Sequence, residues 1–510
     1  MKKKTMEINL KRYVIPVFVT WLVSVLCYLP FIAKGLTNSV DGLWAPTYYQ
    51  SGNIELGSGR WMLLFLDKGR GAYVAEPFSS FLALFFVSIA VYVCIDMFTE
   101  INYKTIVYGI LIPCSTTICC YLAYRFTSAN YSLAVLLSSI GAWLVTRDID
   151  DKKKSIIRVL FAIALMVISL GIYQANLGCF CILIIVFMMK LLIDSENQKC
   201  LGVFFRTVIV GVASCIIYKI AWDLCLLARH VSASSYNGAD SVSISSMIIG
   251  LPHSLRMIYR AWLSYFLFQD GYYVFTPIRV IIVAAIFLLV LFVGIKRLSK
   301  NIKSLIIFIL LFLCLPIAAN IAVIIAPSAV AVMKQMTAPM MMVVPVLLFY
   351  LDGLKLKYNK IICILGVMIL YGNIYAVGTD IEALAQGSNT TYAVLENIIS
   401  KLNDEELLGQ EYEYAFYGNP SENELFKTNE LYENASLYAK FGKLQTKTDM
   451  IRNAYMGLLD DIGIDLEFVD YDTYKEILDS DLLDSMPSFP AKGSICEKNG
   501  VVVVKVSEDY

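Results

Sequence analysis

The chain has 510 residues, of which 58% are hydrophobic and only 16% are charged. This composition excludes an ordinary soluble protein and is typical of an integral membrane protein. Basic and acidic residues number 42 each, but residues 1–378 hold 32 basic and 16 acidic residues, whereas residues 379–510 hold 10 and 26. The asymmetry predicts a membrane domain over 1–378 and an acidic soluble domain over 379–510, and nothing in it indicates a nucleic-acid partner.

Apolar segments of about 20 residues are long enough to cross a bilayer as helices. Eleven segments approach this length, which predicts a polytopic α-helical membrane protein with about eleven transmembrane helices. The first follows a lysine-rich start but is too long for a typical signal peptide, so we interpret it as an uncleaved helix. The predicted spans are residues 13–33, 78–98, 105–123, 131–146, 157–173, 177–193, 207–224, 278–295, 304–325, 338–351 and 361–378.

The distribution of basic residues between the loops predicts the orientation of these spans. With the N-terminus inside, the short inner loops contain 20 lysine and arginine residues, as the positive-inside rule expects. An odd number of spans then places residues 379–510 outside. Two outer loops, 34–77 and 225–277, are longer than a connection requires. Their aromatic and apolar residues alternate with charged ones, which predicts short helices in the membrane interface around a wet cavity.

The acidic C-terminal segment has the pattern of a small α/β domain. Short β-rich runs predict strands at 412–417, 466–469 and 501–506. Asn499-Gly500 immediately precedes the last of them and is a strong hairpin signal. Apolar periodicity predicts helices near residues 390–402, 431–441, 449–462 and 472–483.

Cysteine and histidine usage argues against a zinc site. Twelve of the 13 cysteines precede residue 379, mostly within apolar runs, and the chain has only two histidines. No pair of CxxC motifs is present. Because Cys496 is the only cysteine after residue 378, no disulfide can form within the C-terminal domain.

Carboxylates in the first outer loop are candidates for acid–base chemistry. Asp41 lies only eight residues beyond the first span, near the membrane surface. A carboxylate at this position can act as general base on the hydroxyl of one substrate while the other, lipid-borne substrate arrives from the bilayer. Glu55 and Asp67 follow in the same loop. The alternative interpretation is a solvated loop of mixed charge without a catalytic role.

The segment Gly57-Ser58-Gly59-Arg60-Trp61 is not a phosphate-binding glycine loop. Its glycines allow a turn that directs Arg60 toward a phosphate and Trp61 toward a sugar or lipid. The alternative is an interfacial anchor with a snorkelling arginine.

Other polar residues on the outer side are candidates for ligand contacts. Tyr173 and Gln174 lie between two apolar runs, where they can line a cavity or form hydrogen bonds between helices. Basic residues on this side oppose the overall charge bias, so they can bind an anionic lipid phosphate or pair with loop carboxylates. They are Arg125, Arg256, Arg260 and Lys334.

In combination, these features resemble a known family. The first span, the loop with Asp41 and Gly59-Arg60-Trp61, the Tyr173-Gln174 element in the third helical hairpin and the outer C-terminal segment resemble the type II O-antigen glucosyltransferases of bacterial membranes. The resemblance covers roughly residues 13–378. It implies a GT-C-like architecture in the bacterial cytoplasmic membrane. The implied reaction transfers a sugar, commonly glucose, from a polyprenyl phosphate donor to a cell-surface glycan.

The resemblance also implies roles for individual residues. Family members typically carry an acidic pair in the first outer loop, and Asp41 matches its first member, but Gly42 occupies the second position. Asp41 then acts as sole base, or Glu55 or Asp67 assists. One carboxylate is compatible with a divalent metal without indicating one, so no cofactor is assigned. The remaining residues above are expected to bind the phosphate and sugar while a single in-line displacement inverts the anomeric centre.

Two other functions are compatible with many spans and large outer loops. A polysaccharide polymerase or ligase would use a diphosphate-linked oligosaccharide. A lipid-linked sugar flippase or transporter would typically show internal repeats and ionisable residues at mid-membrane depth. The sequence shows no repeat and concentrates its charges in loops, which favours a transferase. A non-catalytic scaffold that binds a partner through its C-terminal segment is a further alternative.

Overall fold

The structure is a computed structural model, and it describes residues 10–38, 48–147, 152–267, 277–329, 332–357, 359–425 and 448–510. The first half of the chain forms helices α1 (Leu10–Ala33), α2 (Asn53–Gly57), α3 (Trp61–Gly69), α4 (Phe78–Phe98), α5 (Tyr103–Ile110), α6 (Thr116–Ala123), α7 (Ser128–Thr146), α8 (Lys152–Ile172), α9 (Leu177–Ile193), α10 (Asn197–Arg229) and α11 (Ile244–Phe266). The second half forms α12 (Pro277–Leu298), α13 (Ile302–Leu313), α14 (Leu315–Ala319), α15 (Ile321–Ile325), α16 (Ala338–Gly353), α17 (Asn359–Asp404), α18 (Thr448–Asp461), α19 (Tyr471–Leu478) and α20 (Leu482–Ser485).

Within the described ranges, nine helices are long and apolar enough to cross a membrane. They coincide with nine of the eleven predicted spans, which confirms a polytopic helical membrane protein. The count of eleven is not confirmed, because the other two predicted spans are interrupted. The nine are α1, α4, α7, α8, α9, α10, α12, α16 and α17.

The interruptions occur where the sequence opposes a continuous helix. In the predicted span 105–123, the helix stops after Ile110, and Pro113 lies in the break. Ser115 then caps α6 by accepting a hydrogen bond from the backbone N–H of Ile118. The predicted span 304–325 divides into α13, α14 and α15.

The two long loops that the sequence predicts to be outer loops contain helices of very different lengths. The first, residues 34–77, contains the short helices α2 and α3. The second, residues 225–277, includes the end of α10, a 3-10 turn at Tyr236–Ser241 and the 23-residue helix α11. Helix α11 packs against α14 and α15, and Ser254 Oγ donates to the carbonyl oxygen of Val323 at 2.9 Å.

Helix α17 has 46 residues, which corresponds to about 69 Å at 1.5 Å per residue. This is more than twice the roughly 30 Å of a bilayer core. The helix continues through residue 378, where the sequence predicts the domain boundary, and it includes the helix expected at 390–402. The boundary at 378 stays a prediction, and it falls inside a helix.

The C-terminal residues form a three-stranded sheet in the order β1 (Glu413–Tyr417), β3 (Val501–Lys505), β2 (Ile495–Lys498). Strand β1 is parallel to β3, and β2 is antiparallel to β3. The expected Asn499-Gly500 turn joins β2 to β3, and both residues have positive φ, 56° and 82°. The expected strand at 466–469 is reduced to one bridge between Phe468 and Tyr414. The expected helix at 431–441 lies outside the described residues.

The core of the membrane part is formed by α9 and α16, which pack against each other and are largely buried. Helices α4, α7 and α8 pack in sequence beside them. Most of the apolar surface of α1 and α10 is exposed, as expected for helices that face lipid. At the end of α16, the buried Asp352 accepts hydrogen bonds from Thr99 and Asn102 and pairs with Lys104 at 2.8 Å.

Candidate functional site

The turn before α3 is held by hydrogen bonds from distant parts of the chain. Gln174 Nε2 donates to the carbonyl oxygen of Ser58 at 2.8 Å and to the hydroxyl of Tyr218 at 2.8 Å. Tyr218 in turn donates to the carbonyl oxygen of Gly59 at 3.0 Å. These three bonds fix the backbone that carries Arg60.

Gly59 must be a glycine for two independent reasons. Its φ of +84° lies in the left-handed region, which side chains with a Cβ rarely adopt. A Cβ at this position would also overlap the Tyr218 hydroxyl and the Gln174 amide. The expectation that glycine permits a turn here therefore agrees with the local geometry.

Arg60 lies over an aromatic stack. Its Cζ atom is 5.2 Å from the ring centroid of Tyr173, a cation–π distance. The Tyr173 ring is 4% exposed and stacks on Tyr131, with centroids 4.5 Å apart and planes inclined by 17°. The stacking on Tyr131 fixes the ring over which the Arg60 cation lies.

Two buried donors of the turn make no hydrogen bond within the described part of the chain. They are Arg60 Nε and Trp61 Nε1. Buried polar groups usually have a partner, so adjacent donors without one indicate a place where an acceptor can bind. The Trp61 ring packs against Gly171 of α8, where a Cβ would lie only 2.7 Å from the indole.

The second outer loop closes over this turn. The backbone N–H of Ser234 donates to the carbonyl oxygen of Gly57 at 2.9 Å. Tyr236 follows, and it is near enough to Arg60 to interact electrostatically. Burial alone lowers the pKa of Arg60, but the neighbouring tyrosines and Glu55 outweigh this effect and raise that pKa. Arg60 is therefore a permanent cation.

Lys334 belongs to a second turn that joins the same aromatic group. The turn is a 3-10 helix, Lys334–Thr337, immediately before α16. Tyr121 donates to the carbonyl oxygen of Gln335 at 3.3 Å, and its ring lies 5.5 Å from that of Tyr131. Lys334 is 5% exposed, and its Nζ lies 3.8 Å from Oδ2 of Asp380 in α17. A continuous set of tyrosines thus connects the Lys334 turn with Arg60.

The two accessory acids hold the first outer loop together. Glu55 accepts hydrogen bonds from the backbone N–H of Gly52 at 2.8 Å and from the hydroxyl of Tyr49. Asp67 is fully buried and forms an ion pair with Arg70 at 2.9 Å. It also accepts hydrogen bonds from Ser51 and Asn130.

Burial raises the pKa of Asp67, and Arg70 opposes that shift. The lone pairs of Asp67 already accept hydrogen bonds from protein groups. These contacts make Asp67 a structural residue of the loop and leave little access for a substrate.

The remaining predicted cations have different surroundings. Arg125 donates from Nε to the carbonyl oxygen of Leu36 at 3.4 Å, just beyond the end of α1. Arg256 and Arg260 are exposed on α11. The structure therefore brings Arg60, Trp61, Tyr173 and Gln174 together, whereas Arg256 and Arg260 lie on a separate helix.

Asp41 lies outside the described residues, in the gap from 39 to 47. The residues on both sides of that gap contact the end of α6 and the turn that follows it. The backbone N–H of Asn38 donates to the carbonyl oxygen of Ala123 at 3.1 Å. The ring of Tyr49 stacks on Phe126 with centroids 4.0 Å apart. Both flanks therefore contact residues that lie within two positions of Arg125 in sequence.

Sequence reasoning missed four residues of this site: Tyr131, Tyr218, Tyr236 and Asp380. Tyr131 and Tyr218 lie in spans that were interpreted as membrane-crossing by their apolar content alone. A tyrosine within an apolar run is the only sequence signal that was available for them. Asp380 follows the predicted boundary at 378 by two residues, so it was assigned to the acidic domain.

These observations define a class of protein. The chain is a polytopic membrane protein whose two long loops and neighbouring helices build a site with a fixed cation, buried donors and tyrosines. In the described ranges, no group of three or more His, Cys, Asp or Glu residues is arranged to hold a metal ion.

The family follows from a direct comparison. A model of the glucosyl transferase GtrII family matches residues 37–377, and the chain belongs to that family. It is therefore a glycosyltransferase of the membrane. A search of curated proteins and a search of solved structures each found no match to the chain.

Proposed function

We propose that the enzyme transfers glucose from a polyprenyl phosphate-linked donor to a cell-surface glycan at the outer face of the bacterial cytoplasmic membrane. The observation that carries this proposal is the position of Arg60. The cation is held over Tyr173. Its own Nε and the neighbouring Trp61 Nε1 are buried donors that have no acceptor among the described residues. An arginine with this surrounding suits the phosphate of a donor whose lipid chain remains in the bilayer.

The proposed reaction is one in-line displacement. A hydroxyl oxygen of the acceptor attacks the anomeric carbon and forms the new glycosidic bond, while the bond from that carbon to the phosphate oxygen breaks. The electron pair of the broken bond leaves with the phosphate, and Asp41 takes the proton of the attacking hydroxyl. A single displacement inverts the anomeric configuration.

The cations stabilise the leaving phosphate. Arg60 is assigned this role because its guanidinium is oriented by Tyr173 and its Nε is available. Lys334 is assigned to the same phosphate because its turn contacts the same tyrosines. Arg125 is assigned as a third cation because the residues flanking the Asp41 segment are anchored beside it. Trp61 and Gln174 are assigned to the sugar-binding side.

The experiment is a transfer assay with purified protein in lipid nanodiscs. Radiolabelled polyprenyl phosphate-glucose is compared with a nucleotide-linked glucose and with a polyprenyl diphosphate-linked oligosaccharide. Transfer from the monophosphate donor alone is expected, with the product in the opposite anomeric configuration. Transfer from the diphosphate-linked oligosaccharide would instead identify a polymerase or ligase.

A pair of variants tests the assigned base. Asp41→Asn is expected to abolish transfer, and its matched control is Asp223→Asn, since Asp223 is an exposed carboxylate on α10 that pairs with Lys219 at the surface. The control is expected to retain wild-type turnover. Wild-type turnover in Asp41→Asn would overturn the assignment.

A further inference from the structure

A buried ion pair joins the Lys334 turn to the long helix α17. Lys334 is 5% exposed and Asp380 is 2% exposed, and their charged atoms are 3.8 Å apart. Burying two charges is costly unless each compensates the other. Removing either residue alone is therefore expected to destabilise the fold. The distance exceeds that of a hydrogen bond between these two atoms.

A second buried ion pair in the same chain provides a contrast. Lys104 Nζ lies 2.8 Å from Asp352, which also accepts hydrogen bonds from Thr99 and Asn102. That pair has the short distance of a tight, charge-assisted hydrogen bond. The Lys334–Asp380 distance is longer by 1.0 Å, so its ammonium can approach another anion at a smaller electrostatic cost.

Asp380 also links the site to the C-terminal residues. It lies in α17, whose later residue Tyr392 donates to Oδ2 of Asp461 in α18 at 2.7 Å. The segment that follows residue 378 therefore supplies a charged residue to the Lys334 turn. A membrane domain that ended at residue 378 would contain Lys334 as a buried cation without this carboxylate.

We propose that Asp380 is a positioning residue that holds the Lys334 ammonium at the donor site and yields it to the phosphate of an incoming lipid donor. This inference rests on the proposed function, because it assigns Lys334 to the donor phosphate. Asp380 does not contact the substrate in this arrangement. Its contribution is to hold the buried Lys334 ammonium in position when no donor is bound.

The test measures binding of farnesyl phosphate to the full-length protein in detergent by calorimetry, with farnesol as the uncharged probe. The central variant is Lys334→Gln combined with Asp380→Asn, which removes both charges with little change in shape. Its matched control is Lys104→Gln combined with Asp352→Asn at the other buried pair. Neither double variant leaves an uncompensated buried charge, and the two amides can hydrogen-bond to each other, so both double variants are expected to fold.

The expected result is a loss of about tenfold in farnesyl phosphate affinity for the Lys334/Asp380 double variant. Farnesol binding is expected to stay unchanged, and the control is expected to bind both probes as the wild type does. Equal farnesyl phosphate binding by the double variant and the wild type would overturn the inference, because a purely structural pair predicts that result.

The single variant Asp380→Asn distinguishes two roles of Asp380. Asp380 either orients Lys334 or merely competes with the phosphate for the Lys334 ammonium. This variant removes a negative charge near the phosphate, so an unspecific electrostatic effect would strengthen farnesyl phosphate binding. Positioning predicts the opposite, a weaker binding of about threefold or more, because Lys334 loses its orientation. Stronger binding would overturn the inference. If the wild type binds farnesyl phosphate but transfers no glucose from the lipid donor, the proposed function fails while this test remains valid.

Discussion

The guanidinium of Arg60 and the ring of Tyr173 lie 5.2 Å apart, although 112 residues separate them in the chain. Arg60 is placed by the turn before α3, and Tyr173 by its stacking on Tyr131. Each partner is held by contacts that do not involve the other. The pair is therefore preorganised, which reduces the entropy lost when an anion binds to the cation.

The ring face of Tyr173 is predicted to contribute to donor affinity through Arg60. Tyr173→Phe keeps the ring and is expected to leave the donor KM within about twofold of the wild type. Tyr173→Leu removes the cation–π contact, so an increase of about three- to tenfold in donor KM is expected. The control is Tyr371→Leu, because Tyr371 is exposed on α17. A Tyr173→Leu enzyme with the KM of the control would contradict the prediction.

Gly59 is predicted to be intolerant of any side chain. Gly59→Ala introduces a Cβ at positive φ and against the Tyr218 hydroxyl, so a loss of about 2–4 kcal/mol in the free energy of unfolding is expected. Gly69→Ala is the matched control, since a Cβ there meets nothing within 4 Å. Chemical unfolding in detergent measures both variants. Equal stability of the two would show that the Gln174–Tyr218 contacts adapt without cost.

Cys496 provides a test of the predicted orientation. It is the only cysteine after residue 378 and is partly exposed in β2. A membrane-impermeant maleimide is expected to label the protein in intact spheroplasts, because residues 379–510 are predicted to lie outside. Cys496→Ser is expected to reduce that labelling to the level given by the other partly exposed cysteines, such as Cys225. Labelling of Cys496 only after the membrane is permeabilised would place the C-terminal segment inside and contradict the orientation.

Local features of the fold were predictable from sequence. Nine predicted spans coincide with long helices. The thickness of the bilayer requires about 20 apolar residues for each crossing helix, so each span can be recognised from its own segment of sequence. The Asn499-Gly500 hairpin was predictable because the turn requires positive φ at both residues. Pro113 is a local signal for the break in the predicted span 105–123, but a hydropathy average over about 20 residues does not register a single proline.

Contacts between distant elements were not predictable in this way. The site depends on Gly59 with Tyr218, Arg60 with Tyr173 and Lys334 with Asp380. Each pair joins residues on different helices or turns. The hydrophobic periodicity of one segment does not show which other segment packs against it. Apart from Arg60, which the glycine-rich segment singles out, side and charge alone indicate the candidate cations, and this criterion groups Lys334 with the exposed Arg256 and Arg260.

The buried pair at the end of α16 is predicted to support stability without affecting the donor. Asp352→Ala leaves Thr99, Asn102 and Lys104 without their shared acceptor. Because Lys104 is 17% exposed and can reach water, a loss of about 2–3 kcal/mol in the free energy of unfolding is expected. Asp352→Asn keeps one acceptor oxygen and is expected to lose about half as much.

The donor KM is expected to be unchanged in both Asp352 variants, since α16 separates Asp352 from the Lys334 turn by its whole length of 16 residues. The stability control is Asp223→Ala, because its ion pair with Lys219 is exposed and contributes about 0.5 kcal/mol or less. Unfolding in detergent and the glucose-transfer assay measure the two properties separately. A rise in donor KM that matches the loss of stability would show that the two ends of α16 are coupled, contrary to the prediction.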